Sequence, residues 1–168
     1  LQSQYGIGSD FYFDVLLKTS NDITSEEIEN TDLIITPRTK LDYGQENYKV
    51  LIVEDNKINM LLAKTLIKQI IPNGTVFEAI NGQEAVEKFE VLNPDLILMD
   101  VQMPVMNGYE ATQEIRKTPK GQHIPIIALT AGTVIGEKEK CLEMGMNDYA
   151  SKPIIKEALE TLISKWIK

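Results

Sequence analysis

Short apolar segments alternate with amphipathic segments along most of the chain, from about residue 48 onward. The apolar segments lack polar alternation, which is typical of strands in a parallel sheet covered on both faces. The pattern predicts five strands, at Lys49–Val53, Thr75–Ala79, Leu96–Met99, Ile126–Leu129 and Asp148–Ala150. It also predicts five helices, at Asn56–Ile70, Gln83–Leu92, Gly108–Lys117, Val134–Met144 and Ile155–Lys168.

Two of the predicted helices carry apolar residues at helical spacing, and we expect each of them to bury one face. In the first helix that face consists of Ile58, Leu61, Leu62, Thr65, Leu66 and Ile70. In the last helix it consists of Ala158, Leu159, Leu162, Ile163, Trp166 and Ile167.

The strands and helices form five successive βα units. Parallel strands are joined by right-handed crossovers, so we expect a doubly wound α/β sheet with helices on both faces. Sheets of this kind bind ligands at the carboxyl ends of their strands. The polar residues that follow each predicted strand are therefore the first candidates for a functional site.

Acidic residues are concentrated in front of this repeat. The chain has a formal net charge of −8, and residues 1–47 hold nine acidic against three basic side chains. Residues 18–47 are rich in Asp, Glu, Asn, Thr and Ser, and we interpret them as a linker. No basic stripe is present, so we expect no nucleic acid to be bound, because that affinity comes chiefly from Lys and Arg.

The composition also indicates size and compartment. With 168 residues, 43% of them hydrophobic, the chain can build one domain core with an appendage. The single cysteine, Cys141, cannot form an internal disulfide, which favours a reducing compartment. No apolar run approaches the roughly 20 residues of a membrane helix, and the signature of a signal peptide is absent. We expect a cytoplasmic domain, whose parent chain could be anchored in the inner membrane.

Three carboxylates follow two of the predicted strands. Glu54 and Asp55 end the first strand, and Asp100 ends the third. With a strand order of 2-1-3-4-5 these strands are neighbours, so the three side chains would converge at one edge of the sheet. Like charges this close repel each other, and a hard divalent cation such as Mg²⁺ would resolve the conflict. Contact with solvent at a strand end explains any one of these residues, but explains all three together poorly.

Hydrogen-bond donors follow the fourth and fifth predicted strands. Thr130 ends the fourth strand, and Lys152, followed by Pro153, comes after the fifth. A hydroxyl and an ammonium can both bind phosphoryl oxygens, although each residue is also common at a protein surface. We expect the peptide bond between Lys152 and Pro153 to be cis, which would position the lysine.

Together these residues resemble the response-regulator receiver family, over about residues 48–168. The resemblance implies a flavodoxin-like (βα)5 fold, and the strand order 2-1-3-4-5 is partly taken from it. The motifs that carry it are VLIVEDNKIN around Glu54 and Asp55, LILMDVQMPVMNG around Asp100, IIALTA ending in Thr130 and Ala131, and DYASKP around Tyr149 and Lys152.

The resemblance implies a division of roles around a Mg²⁺ ion. Asp100 would be the nucleophile that accepts a phosphoryl group. Asp55 and Asp100 would bind the metal directly, with the backbone carbonyl of Gln102 as a third ligand and Glu54 acting largely through water. The commonest family pattern has Asp at position 54, and the longer glutamate could alter the water shell of the ion.

Three further roles follow from the same resemblance. Lys152 would pair with Asp100 and then with the phosphoryl group. Thr130 would turn its hydroxyl onto a phosphoryl oxygen and draw Tyr149 inward as an aromatic switch, which would change the surface of the fourth helix, fifth strand and fifth helix of the repeat. An ionised carboxylate needs no general base to attack phosphorus. Tyr149 could instead be only a packing aromatic.

Two alternatives stay open. An Asp-based phosphatase or phosphotransferase usually carries a second Asp two residues after the nucleophile, where this chain has Gln102. A degenerate receiver that only binds other proteins would not need the complete set of Glu54, Asp55, Asp100, Thr130 and Lys152. Whether the domain is an enzyme is also open, because it would only phosphorylate and dephosphorylate itself.

Residues 1–17 resemble the closing stretch of the ATP-binding domain of histidine kinases. In SQYGIGSDFYF, Gly6 and Gly8 would belong to the final glycine motif, and Phe11 and Phe13 to a last strand. We therefore expect a piece of a hybrid histidine kinase. Its partners would be the histidine kinase core of the same parent chain and a histidine-containing phosphotransfer protein or a separate response regulator. The unpaired strand could also pair with a second copy in a homodimer.

Overall fold

The computed structural model describes residues 2–4, 8–10, 47–131 and 136–167. The chain divides into two compact units, Leu1–Lys40 and Leu41–Lys168. In the first unit, strands β1 (Gln2–Gln4) and β2 (Gly8–Asp10) pair in antiparallel fashion. Gly6, Phe11 and Phe13 of the predicted kinase remnant lie outside the described residues.

In the described residues of the second unit, five strands and five helices alternate strictly. The strands are β3 (Lys49–Val53), β4 (Thr75–Ala79), β5 (Leu96–Asp100), β6 (Ile126–Thr130) and β7 (Asp148–Ser151). The helices are α1 (Lys57–Ile70), α2 (Gly82–Leu92), α3 (Gly108–Arg116), α4 (Glu137–Glu143) and α5 (Lys156–Trp166). All five strands are parallel, in the order β4-β3-β5-β6-β7. The predicted doubly wound sheet with the order 2-1-3-4-5 is therefore confirmed.

Three strands run one residue further than predicted. β5, β6 and β7 end at Asp100, Thr130 and Ser151, because the backbone ladder continues through residues whose side chains are polar. Asp100 pairs in register with Leu129, and Thr130 pairs with Ser151. Two of the predicted site residues are thus held by the sheet itself.

Asparagines set the starts of three helices. The side chains of Asn56, Asn81 and Asn107 accept hydrogen bonds from backbone N–H groups in the first turns of α1, α2 and α3. Asn56 is therefore the cap before α1 rather than its first residue, and α2 begins at Gly82 because Asn81 caps it. Asn107 also forms a reciprocal capping box with Glu110.

The core has two layers, one on each face of the sheet. Alternate strand residues point into a cluster with α1 and α5 on one face and into a cluster with α2, α3 and α4 on the other. All five residues of the central strand β5 are buried, as are all five of β6. None of the helices in the described part of the chain combines the length and the apolar character that crossing a membrane requires.

The predicted buried face of α1 was wrong for four of its six residues. Only Leu66 and Ile70 of that set are buried, together with Met60, Ala63 and Ile67. Ile58, Leu61, Leu62 and Thr65 are exposed, the first two by 78% and 65% of their surface. The helix carries two overlapping apolar stripes, and the direction in which it leaves β3 decides which one meets the sheet.

The prediction for α5 was largely right. Leu159, Ile163 and Ile167 are buried, and Leu162 and Trp166 are half-buried against the same cluster. Ala158 is exposed, contrary to the prediction. It lies at the edge of the apolar stripe, where a small side chain does not reach the sheet.

Arg116, the last residue of α3, ties two loops together. Its Nε donates to the Gly145 carbonyl at 2.7 Å, and its Nη1 donates to the Ile124 carbonyl at 2.9 Å and to the Gly121 carbonyl. Its Nη2 donates to Asn147 Oδ1 at 2.7 Å. Burial lowers the pKa of this guanidinium. The segment between α4 and β7 is thereby fixed to α3 and to the start of β6.

Asp148 ties β7 to α5 through its carboxylate. Its Oδ2 accepts from Lys165 Nζ at 2.7 Å and from Trp166 Nε1 at 3.2 Å, and its Oδ1 accepts from the Tyr149 N–H at 3.0 Å. Burial raises the pKa of Asp148, but the hydrogen bonds from Lys165, Trp166 and Tyr149 outweigh it and hold that pKa below the ordinary value.

We expect Asp148→Asn to destabilise the protein by about 1 kcal/mol at pH 7, since it weakens these charge-assisted hydrogen bonds. A carboxylate whose pKa is lowered by folding stabilises the protein above its ordinary pKa of 3.8 and loses that contribution as the pH falls through the native value. Urea unfolding at several pH values should therefore show the difference shrinking below about pH 4. Glu143→Gln, which alters an exposed carboxylate on α4, is the control. If the free energies of unfolding of the wild type and Asp148→Asn differ by the same amount at every pH, the assignment is contradicted.

Candidate functional site

The register of the sheet brings the polar strand ends together. Val53 of β3 pairs with Met99 of β5, so the next residue on each strand, Glu54 and Asp100, lie side by side. Thr130 ends the following strand, β6, and the Lys152 N–H donates to the Thr130 carbonyl at 2.6 Å. All these residues stand at the carboxyl edge of the parallel sheet, where ligands bind in such folds.

Three carboxylates form a cluster at this edge. Glu54, Asp55 and Asp100 each offer an oxygen that lies within 4.8 Å of the others. Glu54 is 1% exposed and Asp100 is 4% exposed, whereas Asp55 is open to solvent. The predicted convergence of the three side chains is what the structure shows.

Lys152 bridges the two buried carboxylates. Its Nζ lies 2.7 Å from Asp100 Oδ2 and 2.7 Å from Glu54 Oε2. The sequence predicted a contact with Asp100, but not the second one with Glu54. The Lys152–Pro153 peptide bond is cis, as predicted.

Burial and charge shift the pKa values of this pair. Burial raises the pKa of Asp100, with a further rise from the charge of Glu54, while Lys152 and the Gln102 N–H pull it down; the net direction is upward. Burial lowers the pKa of Lys152, but Asp100 and Glu54 together outweigh it and raise that pKa. Lys152 is therefore a firmly charged ammonium, and Asp100 is a carboxylate held at an electrostatic cost.

The other oxygen of Glu54 is bound by the start of α1. Glu54 Oε1 accepts from Asn59 Nδ2 at 3.0 Å and from the Asn56 N–H at 3.3 Å. Sequence reasoning missed this contact, although both asparagines lie in the VLIVEDNKIN motif. The available signal was a polar residue on the first turn of a helix, four residues after the acidic pair.

The backbone around Asp100 is packed closely. The Gln102 N–H donates to Asp100 Oδ1 at 3.1 Å. A Cβ on Gly108 would lie 2.2 Å from the Asp100 carbonyl oxygen, so only glycine allows α3 to begin this close to the strand end. The Gly108 N–H also donates to the Val101 carbonyl at 3.1 Å.

Solvent reaches the cluster through an open cavity of about 690 Å³ between the loop after β5 and the start of α4. Asp55 and Gln102 line this cavity, together with Tyr109 and Lys140. The position of the Gln102 carbonyl as a metal ligand stays a prediction.

Thr130 and Tyr149 lie on neighbouring strands. Thr130 is buried at the end of β6. Tyr149 of β7 is half-buried against the core cluster of α2, α3 and α4, and Lys138 Nζ lies 5.4 Å from its ring centroid. Their role as a switch stays a prediction.

The charge balance of the cluster limits what it can do chemically. Against three carboxylates the described residues place one ammonium, so two negative charges are uncompensated. Glu54 Oε2 is buried and, apart from its ion pair with Lys152, accepts no hydrogen bond from the described residues. A cluster of this kind suits a divalent cation with oxygen ligands.

Curated relatives match the chain over most of its length. It is 38% identical over 138 residues to the signal transduction histidine-protein kinase BarA of Escherichia coli, covering 82% of this chain and 14% of that protein. It is 36% identical over 141 residues to the sensor histidine kinase GacS of Pseudomonas protegens, covering 79% of this chain and 15% of that protein. The chain therefore spans only a small part of these relatives.

Solved structures resemble the same region. A receiver domain of a sensor histidine kinase from Pseudomonas aeruginosa, with a magnesium ion in its active site cleft, superposes with a TM-score of 0.66 at 38% identity, covering 73% of this chain and 98% of that one. The receiver domain of Ssk1 from Saccharomyces cerevisiae, crystallised with the phosphotransfer protein Ypd1, gives 0.65 at 36% identity, covering 72% and 89%.

The match to a family agrees with the fold and with the acidic cluster. The model of the response regulator receiver domain matches residues 50–164, which include the parallel sheet except for Lys49 and every residue of the cluster. The chain belongs to the response regulator receiver family.

Proposed function

We propose that Asp100 accepts a phosphoryl group from a phosphohistidine, in the presence of Mg²⁺, as part of a two-component phosphorelay. The observation that carries this proposal is the placement of Asp100. It is a buried carboxylate 2.7 Å from a lysine ammonium and beside two further carboxylates, at the open edge of the sheet. A positioned nucleophile and matched charges are what phosphoryl transfer mainly needs.

The residues present fit a magnesium ion. Asp55 and Asp100 would bind it directly, with the Gln102 carbonyl as a third ligand and Glu54 through water. The uncompensated charge of the cluster supports this assignment, as does the ion in the active site cleft of the related receiver domain. When bound, the ion would neutralise charge on the transferring phosphoryl group.

The transfer itself uses one carboxylate oxygen of Asp100. That oxygen attacks phosphorus in line, a P–O bond forms, and the P–N bond to the donor imidazole breaks. The imidazole leaves with its bonding electron pair and takes up a proton. The Lys152 ammonium, already beside Asp100, matches the charge on the phosphoryl oxygens, and the Thr130 hydroxyl donates to one of them.

The modification would be read out on the surface of α4, β7 and α5. When Thr130 turns toward the phosphoryl group it leaves space that Tyr149 can fill. The contact between Lys138 of α4 and the Tyr149 ring would then be broken or remade. Arg116 holds the connection between α4 and β7, and Asp148 ties β7 to α5, so the movement would stay local.

The parent chain, in this proposal, is a hybrid histidine kinase. Residues 1–17 would be the end of its ATP-binding domain, residues 18–47 a linker and residues 48–168 the receiver domain. The similarity to BarA and GacS supports this origin. The kinase core of the same chain would be the phosphoryl donor, and a histidine-containing phosphotransfer protein or a separate response regulator the recipient, with the domain in the cytoplasm.

The exposed apolar face of α1 supports docking of such a histidine protein. Ile58, Leu61 and Leu62 are exposed by 78%, 65% and 38%, although they are large and apolar. They begin three residues after Asp55, so they lie next to the acidic cluster. Val105, in the loop after β5, is 84% exposed and adopts a positive φ of 70°, which is unfavourable for a β-branched residue. The co-crystal of a related receiver with a phosphotransfer protein is consistent with this arrangement.

The first experiment is intact mass after incubation with a small acyl phosphate and Mg²⁺. We expect the wild type to gain one phosphoryl group, about 80 Da, and Asp100→Asn to gain none, because the amide is not a nucleophile. Asp95→Asn, a variant at the other end of β5, is the matched control and should gain the group. An unmodified wild type would favour a degenerate receiver that only binds proteins.

A second experiment tests the electrostatic cost at Asp100. Because folding raises the pKa of this carboxyl, its ionised form disfavours the folded state above the ordinary pKa of 3.8. We expect metal-free Asp100→Asn to melt above the wild type at pH 7, with the difference in melting temperature disappearing as the pH falls below that value. Mg²⁺ should raise the melting temperature of the wild type and leave that of Asp100→Asn nearly unchanged. A lower melting temperature for metal-free Asp100→Asn contradicts this account.

A third experiment separates docking from chemistry. We expect Leu61→Glu to slow transfer from a phosphorylated histidine-phosphotransfer protein by about tenfold or more, since it puts a charge into an apolar contact. Its modification by the acyl phosphate should keep the wild-type rate, because Leu61 is not part of the cluster. Val91→Glu is the control, since Val91 is 79% exposed on α2, which packs on the opposite face of the sheet. Equal rates of phosphoryl transfer to Leu61→Glu and Val91→Glu would show that α1 is not part of the docking surface.

A further inference from the structure

Glu54 is more tightly held than a carboxylate at a strand end needs to be. Its backbone N–H donates to the Ala79 carbonyl at 3.0 Å, and its side chain is 1% exposed. Oε1 is bound by Asn59 Nδ2 at 3.0 Å and by the Asn56 N–H at 3.3 Å, while Oε2 lies 2.7 Å from Lys152 Nζ. The two oxygens therefore have different partners, and the carboxylate has one orientation.

Asn59 is itself fixed in place. It is half-buried in the first turn of α1, and its N–H donates to Asn56 Oδ1 at 3.3 Å. The Ile58 N–H donates to the same oxygen at 2.9 Å. The cap at Asn56 thus sets the start of the helix, and the helix presents the Asn59 carboxamide to Glu54. No other side chain among the described residues donates to Glu54 Oε1.

Loss of the Asn59 carboxamide would leave Oε1 with the longer backbone contact alone. A buried carboxylate oxygen that loses a donor is costly, so Glu54 would turn toward Lys152 or toward solvent. In either case a metal ion would have to restore its orientation on binding, which lowers the affinity for the ion.

We propose that Asn59 is a positioning residue for the metal site, which acts by orienting Glu54. The inference rests on the proposed magnesium site and adds a residue to it. Asn59 touches neither the ion nor the phosphoryl group in this scheme. Because it belongs to α1, it also links the metal site to the helix that carries the exposed apolar face.

The test is the dissociation constant of Mg²⁺, measured by calorimetric titration of the full chain. We expect Asn59→Ala to bind the ion about tenfold more weakly than the wild type, the lower end of the loss found when residues beyond the direct metal ligands are removed. Asn59→Gln keeps the carboxamide on a longer stem and should recover part of the affinity. Gln69→Ala, which removes an exposed amide from the same helix, should bind like the wild type.

A second readout needs no metal. In buffer with a chelator, Asn59→Ala should melt about 3–6 °C below the wild type, which is the loss expected for a hydrogen bond to a buried charge. When Asn59→Ala is combined with Glu54→Ala, it should lower the melting temperature much less, because the acceptor of the hydrogen bond is already gone. The cycle therefore measures the contact between the two side chains directly.

The outcomes separate this inference from the proposed function. An Asn59→Ala variant that binds Mg²⁺ like the wild type, or that loses the same stability with and without Glu54, has only a structural role, and the inference is overturned. A wild type that neither binds Mg²⁺ nor takes a phosphoryl group from the acyl phosphate overturns the proposed function itself.

Discussion

The electrostatic repulsion among three carboxylates at one sheet edge is the constraint on which the rest of this domain depends. Glu54, Asp55 and Asp100 offer oxygens within 4.8 Å of one another, and Lys152 is placed to meet only the two buried ones. Such a cluster is unfavourable unless a cation joins it. A folded domain that keeps this cluster must derive its stability from elsewhere, here from two buried hydrophobic core layers and a central strand buried along its whole length.

The fold forms this cluster through backbone pairing, a glycine and helix caps. Parallel pairing in register puts the ends of β3 and β5 side by side. Gly108 lets α3 begin against the Asp100 carbonyl, and asparagine caps fix where α1, α2 and α3 start. On the other side of the site, Arg116 and Asp148 anchor the connections of α4 and α5. The acidic edge is therefore rigid, while the surface that would respond to it is bounded by fixed points.

The sequence predicted correctly the features that follow from local chemistry and a repeating pattern. It failed for features that depend on how elements and side chains are oriented in the folded domain. The five βα units followed from the apolar runs. The convergence of the acidic residues followed from runs that stop at carboxylates, together with a strand order partly taken from the family resemblance. The face of α1 did not follow, because Ile58, Leu61 and Leu62 fit a helical period as well as the residues that are in fact buried. The second contact of Lys152 and the contact of Asn59 with Glu54 were also missed, since both join side chains through the third dimension.

The sequence alone determined the order of strands and helices, the class of the sheet and the identity of the residues at its carboxyl edge. Each of these depends on the chemistry of neighbouring residues, namely side-chain branching, hydrophobic period and the point at which an apolar run ends. Only the tertiary structure decided which stripe of α1 is buried, which oxygen of Glu54 meets Lys152 and how far Asp100 lies from its neighbours. Those properties depend on the angles between packed elements, and small rotations of a helix move a side chain from core to solvent without changing the local pattern.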